Sequence, residues 1–460
     1  MRKNMISKKL NFAVCLVSLI AALAGLLFGF DTGIVSGAML VIQKSFPLSA
    51  VQKECIVSAV LVGAMIASLV SGRLADNYGR KDLMLVIAIL FITGTLIAAF
   101  AGSIKMIIAG RLLIGLAIGM GSYIAPLYIA EAAPYEWRGG LVSLNQLAIT
   151  IGILCSYLIN YAFVGTEYSW RWMFGMGVIP AVLLGVGMLF LPDSPRWLIK
   201  QNQLEKAKKI LVYLRGTENI DHELSDIQHS LDIQHASFKE VFAPWVRRVL
   251  FLGIFLGFLQ QVSGINTIIY YAPTIFEAAG FHDVSNTILA TVGIGVVNVL
   301  STIWALIYLD RKGRRTLMFA GLIGMAASLF CLSFAFRFGL NWDGLRWISV
   351  ASIFIFIICF AFSLGPLLWL MVSEIFPLRV RGTAMSIAVF SCWFWNAVVS
   401  GTFLSLLNAL GPSNTFLLFG AMCVLGLIVS YFILPETKGV SLEHIEENIR
   451  KGLPLREIGA

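Results

Sequence analysis

Apolar side chains run through this chain in blocks separated by short polar turns, laid out near 12–42, 56–75, 83–102, 105–130, 141–164, 172–191, 249–276, 286–309, 316–336, 347–373, 383–407 and 414–434. At about 1.5 Å of rise per residue, a block of about twenty crosses a hydrocarbon layer of about 30 Å as a helix. The pattern predicts twelve spanning helices in two sets of six, with the polar segment from Pro192 to Arg248 between them. Within that segment, EKAKKILVYLR and HELSDIQHSL combine mixed charge with helical spacing and predict short surface helices; the tail stretch SLEHIEENIRKG reads the same way. The expected units are a first bundle over 1–191, linker helices over 192–248, a second bundle over 249–434 and a tail over 435–460.

The two sets repeat. EAAPYEWRG at 131–139 and EIFPLRVRG at 374–382 share E-x-x-P-x-x-x-R-G at an offset of 243 residues, and Pro192-Asp-Ser against Pro435-Glu-Thr keeps that offset. DNYGRK at 76–81 returns as DRKGRR at 310–315. Such self-similarity predicts two structurally related halves in the same orientation.

Composition fixes the solvent. With 58% hydrophobic and only 13% charged residues, and a mean hydropathy of +0.85, the chain carries about half the charge of an ordinary soluble domain. An all-α integral membrane protein is expected.

The net charge of +9 does not indicate nucleic acid, because the cations sit in short loops. Arg2, Lys3, Lys8 and Lys9, then Arg80 and Lys81, Arg138, the linker, Arg311 to Arg315, Arg379 with Arg381, and the tail all fall on one side. Lys44, Lys53, Lys105, Arg171, Arg337 and Arg346 are the sparse cations of the other. The positive-inside rule then predicts two cytoplasmic termini in a plasma (inner) membrane. MRKNMISKKL with Ala22-Leu23-Ala24 imitates a cleaved signal, but the apolar run continues past it, so an uncleaved first span is expected. The seven cysteines, at 15, 55, 155, 331, 359, 392 and 423, never form CxxC, which argues against a disulfide framework or a zinc site. There is no GxxxxGK[ST] loop for ATP and no nucleophile–base pair or metal cluster, so neither an enzyme nor a cofactor is expected.

Two features carry candidate chemistry. In LQQVSGINTIIYYAPTIF at 259–276, Gln261, Asn266 and Tyr270 can face one cavity, and Gln260 lies beside them. Amides and phenols offer many donors and acceptors without net charge, which suits an uncharged polyhydroxylated ligand; interhelical bonding is the alternative use. Gly257, Gly264 and Pro273 are expected to loosen this helix, as tolerated where backbone lines a cavity. Second, Asp31 is an acid well inside a span, and Arg111 of the fourth span is its expected partner. Making and breaking that pair can move the carboxylate between protonated and ionised states; a static pair fixing helix register is the alternative. All five histidines fall in loops or the tail, which excludes a histidine relay inside the membrane. At helix ends, Asp76, Arg80, Glu131, Arg138, Glu374, Arg379 and Arg381 can form ion pairs between the halves that close the cytoplasmic mouth and break when it opens; solvated caps that set topology are the alternative.

Taken together, GRLADNYGRK, PDSPRWL, QQVSGIN, YYAP, GPLLW, SEIFPLRVRG and PETKGVSLEHIE resemble the sugar porter family of the major facilitator superfamily, most nearly its bacterial galactose and arabinose proton symporters, over essentially the whole chain. The resemblance implies sugar contacts at Gln146, Gln260, Gln261, Asn266, Asn298, Trp369, Trp393 and Asn396, with Phe28 and Tyr270 as gate or cavity wall. An aromatic face at Trp369 or Trp393 suits the C–H face of a sugar ring. It implies proton coupling through Asp31, because facilitative relatives tend to carry a neutral residue there, and it marks Cys392 as a departure from the Asn or Gln of relatives. The expected function is proton-coupled monosaccharide symport by a monomer whose partners are sugar, proton and membrane lipid. A facilitative uniporter is the alternative, and a non-transporting sensor a further one, set against by a tail of only about 25 residues after Pro435.

Overall fold

The computed structural model describes residues 11–231, 238–281, 283–338, 343–377, 379–440 and 442–459. The expected cations at 2, 3, 8 and 9, and the histidines at 235 and 282, lie outside the described residues.

The first span, Phe12–Ser45, starts where the Asn11 side chain accepts from the Ala13 N–H. The second, Ala50–Tyr78, is started by a reciprocal capping box between Ser49 and Gln52. The third, fourth and fifth are Arg80–Ala99, Ile104–Ala132 and Arg138–Phe163, and the sixth is made of Ser169–Gly175 and Val178–Phe190. Three linker helices follow, Pro195–Lys200, Leu204–Arg215 and Asp221–Leu231, with a 3₁₀ turn at Phe238–Phe242.

The seventh span is broken into Arg247–Val262, Ile265–Tyr270 and Ala272–Ala278. The eighth is Val284–Lys312, the ninth Arg314–Arg337, and the tenth is split into Asp343–Phe362 and Leu364–Ile375. Among the described residues eleven long apolar helical stretches occur; the last, Arg381–Ile433, turns at Gly411 (φ 75°, ψ 163°) ahead of Pro412 and so holds two spans. The count of twelve follows. Leu442–Arg450 forms the tail helix.

Lipid supplies no hydrophobic drive between helices, so close packing through small residues takes over. The first span lies on the fifth through Gly25, Gly29, Gly33 and Gly37, where an added Cβ would run into Asn145, Ile149, Ser156 and Asn160 in turn. Gly63, Gly115 and Gly119 join the second span to the fourth in the same way. Outward faces carry large exposed apolar residues, Leu19, Ile89, Phe190 and Leu300 among them, as contact with hydrocarbon requires.

The repeated motifs have one physical cause in both halves. Gly79 (φ 85°, ψ 171°) and Gly313 (φ 87°, ψ 150°) turn the chain into the third and ninth spans in an extended positive-φ conformation that is nearly confined to glycine and costs other residues about 1–3 kcal/mol. A carboxylate then caps each new helix. Asp193 Oδ1 accepts the N–H groups of Arg80 (3.1 Å) and Lys81 (3.4 Å), and Glu436 those of Arg314 (3.0 Å) and Arg315 (3.1 Å). The carboxylates press so close that a Cβ at Gly79 would meet Asp193 and one at Gly313 would come within 2.7 Å of Glu436 Oε2. Gly79→Ala and Gly313→Ala are each expected to destabilise the protein by about 2 kcal/mol, from positive φ plus a displaced cap, read as lower thermal-unfolding midpoints in detergent.

Candidate functional site

The break in the seventh span positions the polar cluster. Ser263 ends one helix and Gly264 (φ 88°) starts the next, with the Phe419 ring 2.9 Å from where a Cβ would stand, so only glycine fits. Gly257, by contrast, stays helical and packs on Ala388 and Cys392 of the eleventh span; it is a packing glycine, contrary to expectation, because its missing Cβ is used for close approach.

The tenth span breaks at Ser363, and Gln260 Nε2 donates to the Leu364 carbonyl there at 2.9 Å, so each interruption supports the other. Gln261 Nε2 donates to Gln260 Oε1 (3.1 Å) and to Cys392 Sγ (3.1 Å), and Asn266 Nδ2 donates to Gln261 Oε1 (2.7 Å). The Cys392 thiol donates to Gln260 Oε1 at 3.3 Å. Four side chains thus form one uncharged chain of hydrogen bonds, with Asn266 half-buried at its end.

Trp393, next to Cys392, is 3% exposed, and its Nε1–H has no hydrogen-bond partner among the described residues. Its ring lies 5.3 Å from that of Phe28, so the two halves meet here through an aromatic pair. Trp369 is half-buried on the second segment of the tenth span, beyond Leu364. Gln146 is half-buried on the helix face of Leu154 and Tyr157, residues that press on Gly295 of the eighth span; Asn298 is buried one turn further along that span.

Tyr270 connects this cluster to the acid. Its phenol lies near Asn396, which accepts from Ser400 Oγ (3.0 Å), and near Thr32, the neighbour of Asp31. Asp31 and Arg111 stand together, Nη1 to Oδ1 at 3.2 Å and Nη2 to Oδ2 at 3.4 Å, with side chains 4% and 1% exposed. Arg111 is fixed further by donating Nε–H to the Ile56 carbonyl at 2.6 Å and by lying over the Phe174 ring. Thr32 was not singled out from the sequence, since a threonine beside an acid gives no signal of what will reach it from another span.

The helix-end charges pair with the ends of neighbouring spans and with the linker. Arg80 pairs with Glu131 (2.8 Å) and Asp76 (3.9 Å), and Arg314 with Glu374 (2.9 Å), all within one half. Thr437 donates to the same Glu374, and Lys200 of the linker pairs with Asp76 at 3.0 Å. Arg379 pairs with Glu240 of the linker at 3.9 Å, Arg381 Nε donates to the Phe376 carbonyl, and Arg138 is exposed beside Arg196 and Arg215. The Gly79 and Gly313 turns aim Arg80 and Arg314 each at the end of its neighbouring span. Arg314, absent from the expected set, is the counterpart of Arg80. Burial pushes the Asp193 carboxyl up from its ordinary range, against the N–H groups of Ser194, Arg80 and Lys81.

On the side away from the termini, Tyr157 donates its hydroxyl to the Ile269 carbonyl at 3.0 Å, and Glu54 of the second span accepts from Ser405 of the eleventh. The halves are joined there.

The sequence matches the family model described as "Sugar (and other) transporter" over residues 17–449. It is 42% identical to the galactose-proton symporter of Escherichia coli K12, covering 99% of this chain and 97% of that one. It is 41% identical to the glucose transporter GlcP of Staphylococcus epidermidis, covering 95% and 97%. The fold superposes on the inward open conformation of the xylose transporter XylE from E. coli with a TM-score of 0.82 at 32% identity, covering 94% and 99%.

Proposed function

Since the chain belongs to the sugar transporter family of the major facilitator fold, we propose that it carries a neutral monosaccharide of the galactose, glucose or arabinose type inward together with a proton, by alternating access. The relatives include a galactose-proton symporter, which supports this reading. The observation that carries it is the uncharged cluster of Gln260, Gln261 and Asn266 in the same bundle interior as the buried Asp31–Arg111 pair, with Tyr270 near both Asn396 and Thr32.

Sugar hydroxyls take the place of the mutual hydrogen bonds among Gln260, Gln261 and Asn266, and reach Gln146, Asn298, Asn396 and the free Trp393 Nε1–H. Trp369 and Trp393 cover the apolar face of the ring, and Phe28 and Tyr270 close over it. When Tyr270 moves toward the sugar it leaves Thr32, and the packing around Asp31 and Arg111 changes with it. A proton taken from outside neutralises Asp31 and frees Arg111; its release inside restores the pair. The halves over 1–191 and 249–434 rock about the site as units, monomerically, with the linker over 192–248, the tail over 435–460 and both termini cytoplasmic. Asp76, Arg80, Glu131, Arg138, Glu374, Arg379 and Arg381 hold the helix ends on that side in register.

Uptake of radiolabelled galactose into proteoliposomes with an alkaline interior tests the substrate class. Unlabelled hexoses and pentoses are expected to compete, and sugar phosphates and amino acids are not. Competition by charged solutes alone contradicts the reading.

A further inference from the structure

Glu54 looks like a loop residue in SAVQKECIVSA, just ahead of the apolar block at 56–75. The capping box at Ser49 and Gln52 starts the helix earlier, however, and places Glu54 in its second turn, 4% exposed. One turn further along, Ser58 lies against Gly401 of the eleventh span, where a Cβ would come 3.4 Å from that of Ser58. This close approach sets the register. Ser405, one turn past Gly401, donates its backbone N–H to Glu54 Oε1 at 2.6 Å and its hydroxyl to Oε2 at 2.8 Å.

Both oxygens of a buried carboxylate are therefore satisfied from the opposite half. Lys53 points elsewhere, donating to Gln43 Oε1 at 2.7 Å, with Glu277 of the seventh span as its charged neighbour. Tyr271 of that span, which feels the charges of Glu54 and Arg111 and lies near Cys55, donates its hydroxyl to the Ser400 carbonyl. Among the described residues no cation pairs with Glu54. If the halves part on this side, the carboxylate loses both donors at once. A carboxylate suits two donors, because both of its oxygens only accept.

We propose that Glu54 is the latch of the mouth away from the termini: its carboxylate holds Ser405 through both oxygens and keeps that mouth shut, and the mouth opens only when both bonds break together. The inference rests on the alternating-access reading, in which that mouth faces outside.

Hydrogen–deuterium exchange of the full chain in lipid nanodiscs at pH 7.5 tests it without transport. Glu54→Gln is expected to raise the open-to-closed ratio at the ends of the second and eleventh spans at least about tenfold at pH 7.5, the loss of a charge-assisted hydrogen bond. Ser405→Ala, which keeps the backbone N–H, is expected to fall between. Exchange there that is the same in wild type and both latch variants overturns the proposal. Failure of the transport reading would appear separately, as absent sugar uptake by the wild type.

Discussion

Asp31→Asn is expected to convert an accumulating carrier into an equilibrating one. With an interior one pH unit more alkaline and one proton moved per sugar, the wild type concentrates sugar about tenfold, since a pH unit is worth about 1.4 kcal/mol. The variant is expected to settle at equal concentrations inside and out, while still exchanging labelled for unlabelled sugar in counterflow. The reason is the pairing of Asp31 with Arg111 at 3.2 Å in a site almost without solvent. Asparagine has nearly the same shape and leaves the Arg111 bond to the Ile56 carbonyl in place, but it cannot take up or release the proton. Removing one member of a buried pair commonly costs about 3–5 kcal/mol; counterflow therefore doubles as the check that the variant is folded and alternates. Accumulation by Asp31→Asn, measured in the same vesicles, makes the pair a static register device and the carrier's coupling something else.

Gln261→Ala is expected to weaken sugar binding about 30- to 100-fold, the equivalent of about 2–3 kcal/mol. Gln261 holds the centre of the uncharged cluster, bonded to Gln260, Cys392 and Asn266 together. Its loss removes a direct ligand and releases Asn266 from its orientation. A site built to match hydroxyls suffers most when one of its own buried polar groups is left unmatched. Equilibrium binding of galactose by the purified protein checks this, and an unchanged dissociation constant places the sugar elsewhere.

The twelve spans were legible because lipid tolerates only backbone that satisfies its own hydrogen bonds, which forces long apolar helical runs. Even the turn between the last two spans had its signal in Gly411-Pro412. The pairing of Asp31 with Arg111 was legible for a related reason: a charge deep in a span demands a partner, and few were on offer. The internal repeat extends to the helix caps. Asp193 and Glu436 keep the same spacing from the two E-x-x-P motifs, and each caps the helix that follows a glycine–arginine step.

What stayed hidden depends on distant neighbours. Glu54 reads as a loop acid because the partner that buries it, Ser405, is 351 residues away. Gly257 and Gly264 are the same letter, yet one serves packing and the other a left-handed turn, a difference set by Cys392 and Phe419 on spans far along the chain. Arginines at helix ends do not declare whether they will reach across the halves or along one of them; the glycine turns decided that.

The most direct test of sugar–proton coupling is the pH of a weakly buffered medium around sealed vesicles holding the wild-type protein, followed as galactose is added without any imposed gradient. The account predicts that the medium turns alkaline as sugar enters, and that a proton-conducting uncoupler removes the signal. Sugar entry at full rate with the pH of the medium unmoved contradicts it.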